Sequence, residues 1–152
     1  MSLTNDIDVL SRVSLFEGFS LDQLRLVAFG AQEVELGAGA QLFRFGEAAN
    51  GGFVVYTGRV ALVNARSEPL NKSFGAGSLI GEMAILTRIM RPNGAIAETD
   101  CRLLYISREM FRRVLEEYPA LAGRLHARIS HNVRSLVAEL SAVQEQLSRP
   151  VD

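Results

Sequence analysis

A series of short apolar segments interrupted by glycine occupies the middle of this chain, between Val34 and Val63. The segments are rich in Val, Phe and Tyr, which favour strands, and glycine permits tight turns between them. The clearest predicted pair is Phe53–Thr57 with Arg59–Val63, a hairpin that bends at Gly58. The glycines in question are Gly37, Gly39, Gly46, Gly51, Gly52 and Gly58. We therefore predict several strands joined by tight turns in this region.

Helical patterns precede these strands. After Asn5, apolar residues recur at helical spacing. Ser20 and Gln23 match a capping box, which opens a second short helix that Gly30 can end. The chain is therefore expected to begin with two helices.

The second half of the chain returns to strands and then to helices. The polar segment from Asn64 to Ser73 is predicted to be a loop. Strands are predicted at Ala95–Ala97 and Arg102–Ile106, after which Ser107 can cap a helix that ends before Pro119. Because helices and strands are segregated along the chain, the pattern indicates an α+β protein rather than a parallel sheet.

Length, charge and cysteine content narrow the class of protein. The 152 residues, 48% of them hydrophobic, suffice for one domain with a real core. A net charge of -1 argues against a surface that attracts nucleic acid. The single cysteine, Cys101, cannot form an internal disulfide, and no thiols or histidines are spaced for a metal. We find no export signal or membrane span, so we expect a cytoplasmic protein.

The segment 77–94 has the features of an anion site. It contains a glycine-led turn, the acidic Glu82, a short apolar helical turn that starts near Met83, and Arg91. Glycines allow the backbone to approach an anion, and an arginine supplies a rigid fork of donors. Since Glu82 would repel a phosphate, its presence indicates a ligand that also offers hydroxyl donors, as a ribose does. Together these residues favour a sugar phosphate.

This segment resembles the phosphate-binding cassette of cyclic-nucleotide-binding domains, which occur in catabolite-activator-type regulators, regulatory subunits of cyclic-AMP-dependent kinase and gated channels. The family's interval of nine positions between its glutamate and arginine is kept from Glu82 to Arg91. The matching cassette residues are Ile80, Gly81, Glu82, Met83, Ala84, Ile85, Leu86 and Arg91. Further motifs are similar at Leu15–Ser20, Gly46–Glu47, Tyr56–Gly58 and Ala97–Leu104, so the resemblance covers nearly the whole chain.

The resemblance implies a specific architecture. The expected fold is α+β and mainly β, an antiparallel β-barrel of the jelly-roll (double-stranded β-helix) type with helices at both ends. We expect a single domain over residues 1–152, with N-terminal helices at about 1–31 and C-terminal helices at 108–148. The barrel is expected at 32–106, with the cassette at 77–94.

The resemblance also implies roles for residues of the cassette. Glu82 would accept the ribose 2′-hydroxyl, Arg91 would pair with the cyclic phosphate, and the N–H groups of Met83 and Ala84 would complete the anion site. It implies a regulatory module without catalytic residues, metal or required cofactor. The expected binding residues are Ile80, Gly81, Glu82, Met83, Ala84, Arg91, Pro92 and Asn93.

Several positions depart from the family pattern. Pro92 has no N–H to offer a phosphate, and Asn50 stands where the family often has an aspartate that braces the arginine. Asn93 and Gly94 replace the usual small residues and lack the hydroxyl associated with cyclic GMP. We therefore expect cyclic AMP as the ligand rather than cyclic GMP. The alternative is a degenerate, dimeric scaffold that binds no nucleotide and acts through protein interaction.

The end of the chain carries a heptad seam, which predicts a homodimer. Its apolar residues recur at intervals of four and three on a helix too long for one small barrel to cover. The alternative is packing against the chain's own barrel. Unless the chain is a fragment of a longer regulator, the five residues after the seam leave no room for a helix-turn-helix, so we expect no direct DNA binding. The seam residues are Ile129, Val133, Leu136, Leu140, Val143 and Leu147.

Overall fold

The computed structural model describes residues 3–127. The chain divides into two compact units, Met1–Val114 and Leu115–Asp152. In the described part of the second unit, residues 115–117 and 119–127 are helical. Every residue of the predicted dimer seam, from Ile129 to Leu147, lies outside the described residues. Within residues 3–127, no helix is long and apolar enough to cross a membrane.

Two helices open the first unit, as predicted. Helix α1 spans Leu3–Ser11, a 3-10 turn follows at Ser14–Phe16, and α2 spans Leu21–Gly30. The predicted capping box at the start of α2 is confirmed. The Gln23 N–H donates to the Ser20 hydroxyl at 3.2 Å, and the Ser20 N–H donates to Gln23 Oε1 at 2.8 Å.

Ten strands, two further helices and the helical residues 119–127 follow in the described part of the chain. Helix α3 is a single short turn at Glu82–Leu86, and α4 spans Arg108–Glu117. As predicted, the hydroxyl of Ser107 accepts the Met110 N–H at 3.1 Å at the start of α4. The strands are β1 Gln32–Leu36, β2 Gln41–Phe43, β3 Ala48–Ala49, β4 Gly51–Thr57, β5 Val60–Val63, β6 Pro69–Phe74, β7 Leu79–Ile80, β8 Ile89–Met90, β9 Gly94–Ala97 and β10 Cys101–Ser107.

The strands form two four-stranded antiparallel sheets and one two-stranded ribbon. The first sheet has the order β1-β10-β4-β7, the second has the order β2-β9-β5-β6, and β3 pairs with β8 in the ribbon. Val55 and Leu103 of the first sheet and Val60 and Ala95 of the second are fully buried in one hydrophobic cluster. This mainly β, antiparallel arrangement of jelly-roll type confirms the predicted fold class.

The predicted hairpin at Gly58 is wrong, although both of its strands exist. β4 pairs with β10 and β7 in the first sheet, whereas β5 pairs with β6 and β9 in the second. Both edges of each strand are therefore occupied by other partners. Instead of folding β5 back onto β4, the bend at Gly58 passes the chain from one sheet to the other, which is how a jelly roll connects its two layers.

The predicted loop at Asn64–Ser73 is also wrong in part. A turn closes where the Asn64 N–H donates to the Glu68 carbonyl at 2.9 Å, and β6 then begins at Pro69. β6 is the edge strand of its sheet, so a proline at its start removes no ladder hydrogen bond that the sheet needs. The residues of β6 are exposed up to Lys72. Because exposed polar residues are typical of loops, the sequence pattern did not indicate this strand.

Candidate functional site

A cavity of about 260 Å³ opens between the cassette and the second sheet. All of the predicted binding residues except Ala84 line it. Most of the lining is apolar, and the charged side chains on it are Glu82 and Arg91. The complete lining is Phe43, Leu62, Phe74, Leu79, Ile80, Gly81, Glu82, Met83, Ile89, Arg91, Pro92 and Asn93.

Arg91 is the buried cation of this site, with only 6% of its surface exposed. Its backbone is fixed on both sides, because its N–H donates to the Glu47 carbonyl at 2.7 Å and its own carbonyl accepts the Gly46 N–H at 2.8 Å. Its guanidinium Nη2 donates to the Gly51 carbonyl at 2.8 Å. These bonds hold the side chain at the wall of the cavity.

The electrostatic surroundings of Arg91 are unusual for a buried charge. Burial lowers the pKa of Arg91, while Tyr105 and Glu47 act in the opposite direction, and a guanidinium remains protonated in either case. Within residues 3–127, no carboxylate lies at ion-pair distance from this guanidinium. Since a buried charge is costly unless it is paired, the site favours an anionic ligand beside Arg91.

Two aromatic rings flank the guanidinium. Its Cζ atom lies 4.2 Å from the ring centroid of Phe43 and 5.7 Å from that of Phe53. The two rings are stacked, with centroids 6.1 Å apart and planes 27° from parallel. Arg91 therefore rests against an aromatic surface that both sheets contribute to.

Gly81 allows the cassette to approach this arginine. It precedes α3 with φ 82° and ψ 40°, a left-handed conformation that favours glycine. A Cβ atom at this position would lie 2.6 Å from Arg91 Nη1, closer than real contacts allow. Glycine is therefore favoured here by its backbone conformation, and its missing side chain leaves room for the end of the Arg91 side chain.

Helix α3 places its two predicted binding residues in different surroundings. Met83 is 43% exposed at the cavity, whereas Ala84 is fully buried and does not line it. The Ala84 N–H donates to the Gly81 carbonyl at 3.0 Å. Of the two N–H groups that we predicted to bind phosphate, that of Ala84 is thus already used in a hydrogen bond within the chain.

The positions that depart from the family pattern are divided between two places. Asn50 does not line this cavity; it lines a separate groove with Arg108, whose N–H donates to the Asn50 carbonyl at 2.8 Å. Pro92 is exposed and Asn93 is half-buried at the cavity. Gly94 is buried, and a Cβ there would meet Val63 at 2.8 Å.

Sequence reasoning missed the apolar side of the cavity. Phe43 and Leu62 lie in or beside predicted strands, but the strand pattern does not indicate which side chains face a ligand. Phe74 was missed because the polar residues before it predict a loop instead of a strand. The contact between Phe43 and Arg91 joins residues far apart in the chain, and no local signal identifies such a pair.

Comparison with known proteins agrees with this geometry. The family model for the cyclic nucleotide-binding domain matches residues 33–118, more than half of the chain. The structure of a cyclic nucleotide-binding-like protein from Brucella abortus is 39% identical, with a TM-score of 0.66, and the match covers 74% of this chain and 98% of that one. The regulatory domain of Toxoplasma gondii PKA, crystallised with cyclic AMP, is 22% identical with a TM-score of 0.67, and the match covers 74% of this chain and 44% of that one. The latter likeness shows the fold alone.

Among curated proteins, the chain is similar to lysophospholipase NTE1 of Chaetomium globosum, with 25% identity over 120 residues. That match covers 77% of this chain but only 8% of the much longer relative. The similarity is thus confined to one part of the enzyme. The family match, the Brucella structure and the cassette geometry together place this chain in the cyclic nucleotide-binding domain family.

Proposed function

We propose that this chain is a regulatory module that senses cyclic AMP in preference to cyclic GMP. The observation that carries the proposal is Arg91, a buried cation with no carboxylate partner among the described residues, on the wall of a mainly apolar cavity. An anion bound there would offset the cost of burying the charge, and an apolar wall would accept a flat base.

Each part of a cyclic nucleotide has a counterpart in the cavity. Arg91 would donate charge-assisted hydrogen bonds to the cyclic phosphate, and Glu82 would accept the ribose 2′-hydroxyl. Leu62 and Phe74 also line the cavity and would offer apolar surface to the base. Ile80, Gly81, Met83, Pro92 and Asn93 would contact the ligand, whereas Ala84 would support α3 from beneath.

The preference for cyclic AMP rests on residues 92–94. Pro92, Asn93 and Gly94 carry no hydroxyl that could recognise cyclic GMP. The buried Gly94 also has no room for a larger side chain without movement of Val63. The Toxoplasma domain, which shares the fold, was crystallised with cyclic AMP.

The wider biological role is part of the same proposal. The match to lysophospholipases spans a small part of those enzymes, so we propose that this chain regulates rather than catalyses. We further propose a cytoplasmic homodimer, joined through the heptad seam, in which residues 1–152 form one domain without direct contact to DNA.

Isothermal titration with cyclic AMP and cyclic GMP tests the proposal directly. Wild type should bind cyclic AMP more tightly, and Arg91→Ala should weaken binding by about 1.5 to 3 kcal/mol, the scale of a charge-assisted hydrogen bond. Arg66→Ala is the matched control, because Arg66 is an exposed arginine in the turn before β6 and should leave affinity unchanged.

Two results would contradict the proposal. If wild type binds neither nucleotide, the chain is better described as a scaffold that has kept the fold without the ligand. If Arg91→Ala and wild type bind cyclic AMP equally, the phosphate does not lie beside Arg91.

A further inference from the structure

The aromatic surface beneath Arg91 is built from both sheets of the jelly roll. Phe43 belongs to β2 in the second sheet, and Phe53 belongs to β4 in the first. The ring of Tyr105, in β10, packs on Phe53 with centroids 5.0 Å apart. Phe43 is 7% exposed, so the ring nearest to Arg91 is itself fixed in the core.

This surface attracts a cation without neutralising it. The face of an aromatic ring carries the negative part of a quadrupole, which stabilises a guanidinium placed over it. The side-chain hydrogen bond of Arg91 goes to the Gly51 carbonyl, which is also neutral. A carboxylate in the same place would orient the guanidinium too, but it would cancel the charge offered to a ligand.

We propose that Phe43 is the positioning residue for Arg91. Its ring holds the guanidinium from one side while the Gly51 carbonyl fixes one edge, and Arg91 lines the cavity in this position. The consequence is a ligand site whose cation keeps its full charge for the anion. The effect on nucleotide affinity rests on the proposed function, whereas the positioning of Arg91 can be tested without any ligand.

The first measurement uses the ligand-free protein. A proton held over an aromatic ring is shielded, so the NMR resonance of the Arg91 side-chain Nε–H should be shifted upfield in wild type. Phe43→Leu, which keeps an apolar side chain but removes the ring, should abolish that shift. Phe43→Tyr keeps the ring and should preserve it.

The second measurement is titration of the same variants with cyclic AMP. Phe43→Leu should bind about tenfold more weakly, the scale of one desolvated cation–π contact, and Phe43→Tyr should bind like wild type. Phe16→Leu controls for general loss of a buried ring, because Phe16 packs on Phe19 and Phe111 instead of Arg91. It should lower the unfolding free energy but leave both the Arg91 resonance and the affinity unchanged.

The outcomes separate this inference from the proposed function. If the Arg91 Nε–H of Phe43→Leu keeps the upfield shift of wild type, Phe43 does not position the arginine. The same conclusion follows if Phe16→Leu weakens binding as much as Phe43→Leu does. If Phe43→Leu does not fold, Phe43→Met replaces it with the same expected results. If the Arg91 Nε–H is shifted upfield in wild type and Phe43→Leu abolishes that shift, but wild type binds no cyclic nucleotide, the positioning of Arg91 is supported and the proposed function fails.

Discussion

Replacing Gly81 with alanine should disturb the ligand site and the fold together. Two costs are expected. The left-handed backbone conformation of Gly81 is unfavourable for a residue with a Cβ atom, by about 1–2 kcal/mol. The new methyl group would also lie 2.6 Å from Arg91 Nη1, so the guanidinium must shift, which weakens its hydrogen bond to the Gly51 carbonyl.

The magnitude follows from adding the second cost to the first. A hydrogen bond to a charged group contributes about 1.5–3 kcal/mol, so the weakened bond should add up to about 3 kcal/mol to the backbone cost of about 1–2 kcal/mol. Domains of this size are typically stable by about 5–15 kcal/mol, a margin that exceeds the expected loss over nearly all of this range.

Two other glycines separate the costs. Gly39 has a similar backbone conformation, with φ +86°, but a Cβ atom added there would meet nothing within 4 Å, so Gly39→Ala should show the conformational cost alone. Gly37 has neither the positive φ nor a neighbour within 4 Å, so Gly37→Ala should change stability by less than about 0.5 kcal/mol.

Urea unfolding of the three variants, with free energies extrapolated to water, measures these differences. The order of destabilisation should be Gly81→Ala, then Gly39→Ala, then Gly37→Ala, and only the first should lose affinity for cyclic AMP. Equal destabilisation at Gly81 and Gly39 would refute the reasoning, because it would mean that Arg91 does not occupy the space beside Gly81.

Three further outcomes are expected. In titrations, Glu82→Gln should reduce the difference in affinity between cyclic AMP and its 2′-deoxy analogue, and an unchanged difference would remove Glu82 from the ribose site. Changing both Leu136 and Leu140 to Glu should convert a dimer into a monomer in sedimentation, and a wild type already monomeric at micromolar concentration would contradict the seam. Burial raises the pKa of Asp6 above its ordinary value of 3.8, and Glu33 adds to this effect, so the folded state binds the proton more tightly than the unfolded state does. Asp6→Asn should therefore be more stable than wild type near neutral pH, by a margin that shrinks as the pH falls through the raised pKa; a margin independent of pH in urea unfolding would contradict this.

Local sequence signals predicted the elements of the fold better than their pairing. The capping box at Ser20 and the cap at Ser107 each depend on residues three positions apart, and the structure confirms both. The partners of β4 and β5 depend on which strand edges the rest of the chain leaves open. That information is spread over the whole jelly roll, so the bend at Gly58 alone suggested a hairpin that does not form.

The same distinction applies to the site. Gly81, Glu82 and Arg91 lie in one short segment that resembles the family's cassette, which is why they were predicted to share a site, and all three line the cavity. The groups that hold Arg91 could not be predicted in this way, because Phe43 and Gly51 lie on strands far away in the sequence. The side-chain hydrogen bond of Arg91 is also accepted by the backbone carbonyl of Gly51. Since every residue has such a carbonyl, the sequence cannot indicate which one accepts the bond.

The burial of Arg91 connects stability with binding in this domain. A buried guanidinium without a carboxylate costs folding free energy, and an apolar side chain of similar volume is often at least as stable in such a position. The carbonyl of Gly51 and the ring of Phe43 offset part of that cost without removing the charge. An anion that binds beside Arg91 offsets the remainder, so ligand binding and folding stability should rise together. The groups around Arg91 therefore couple the folding stability of the domain to the binding of an anion at this site.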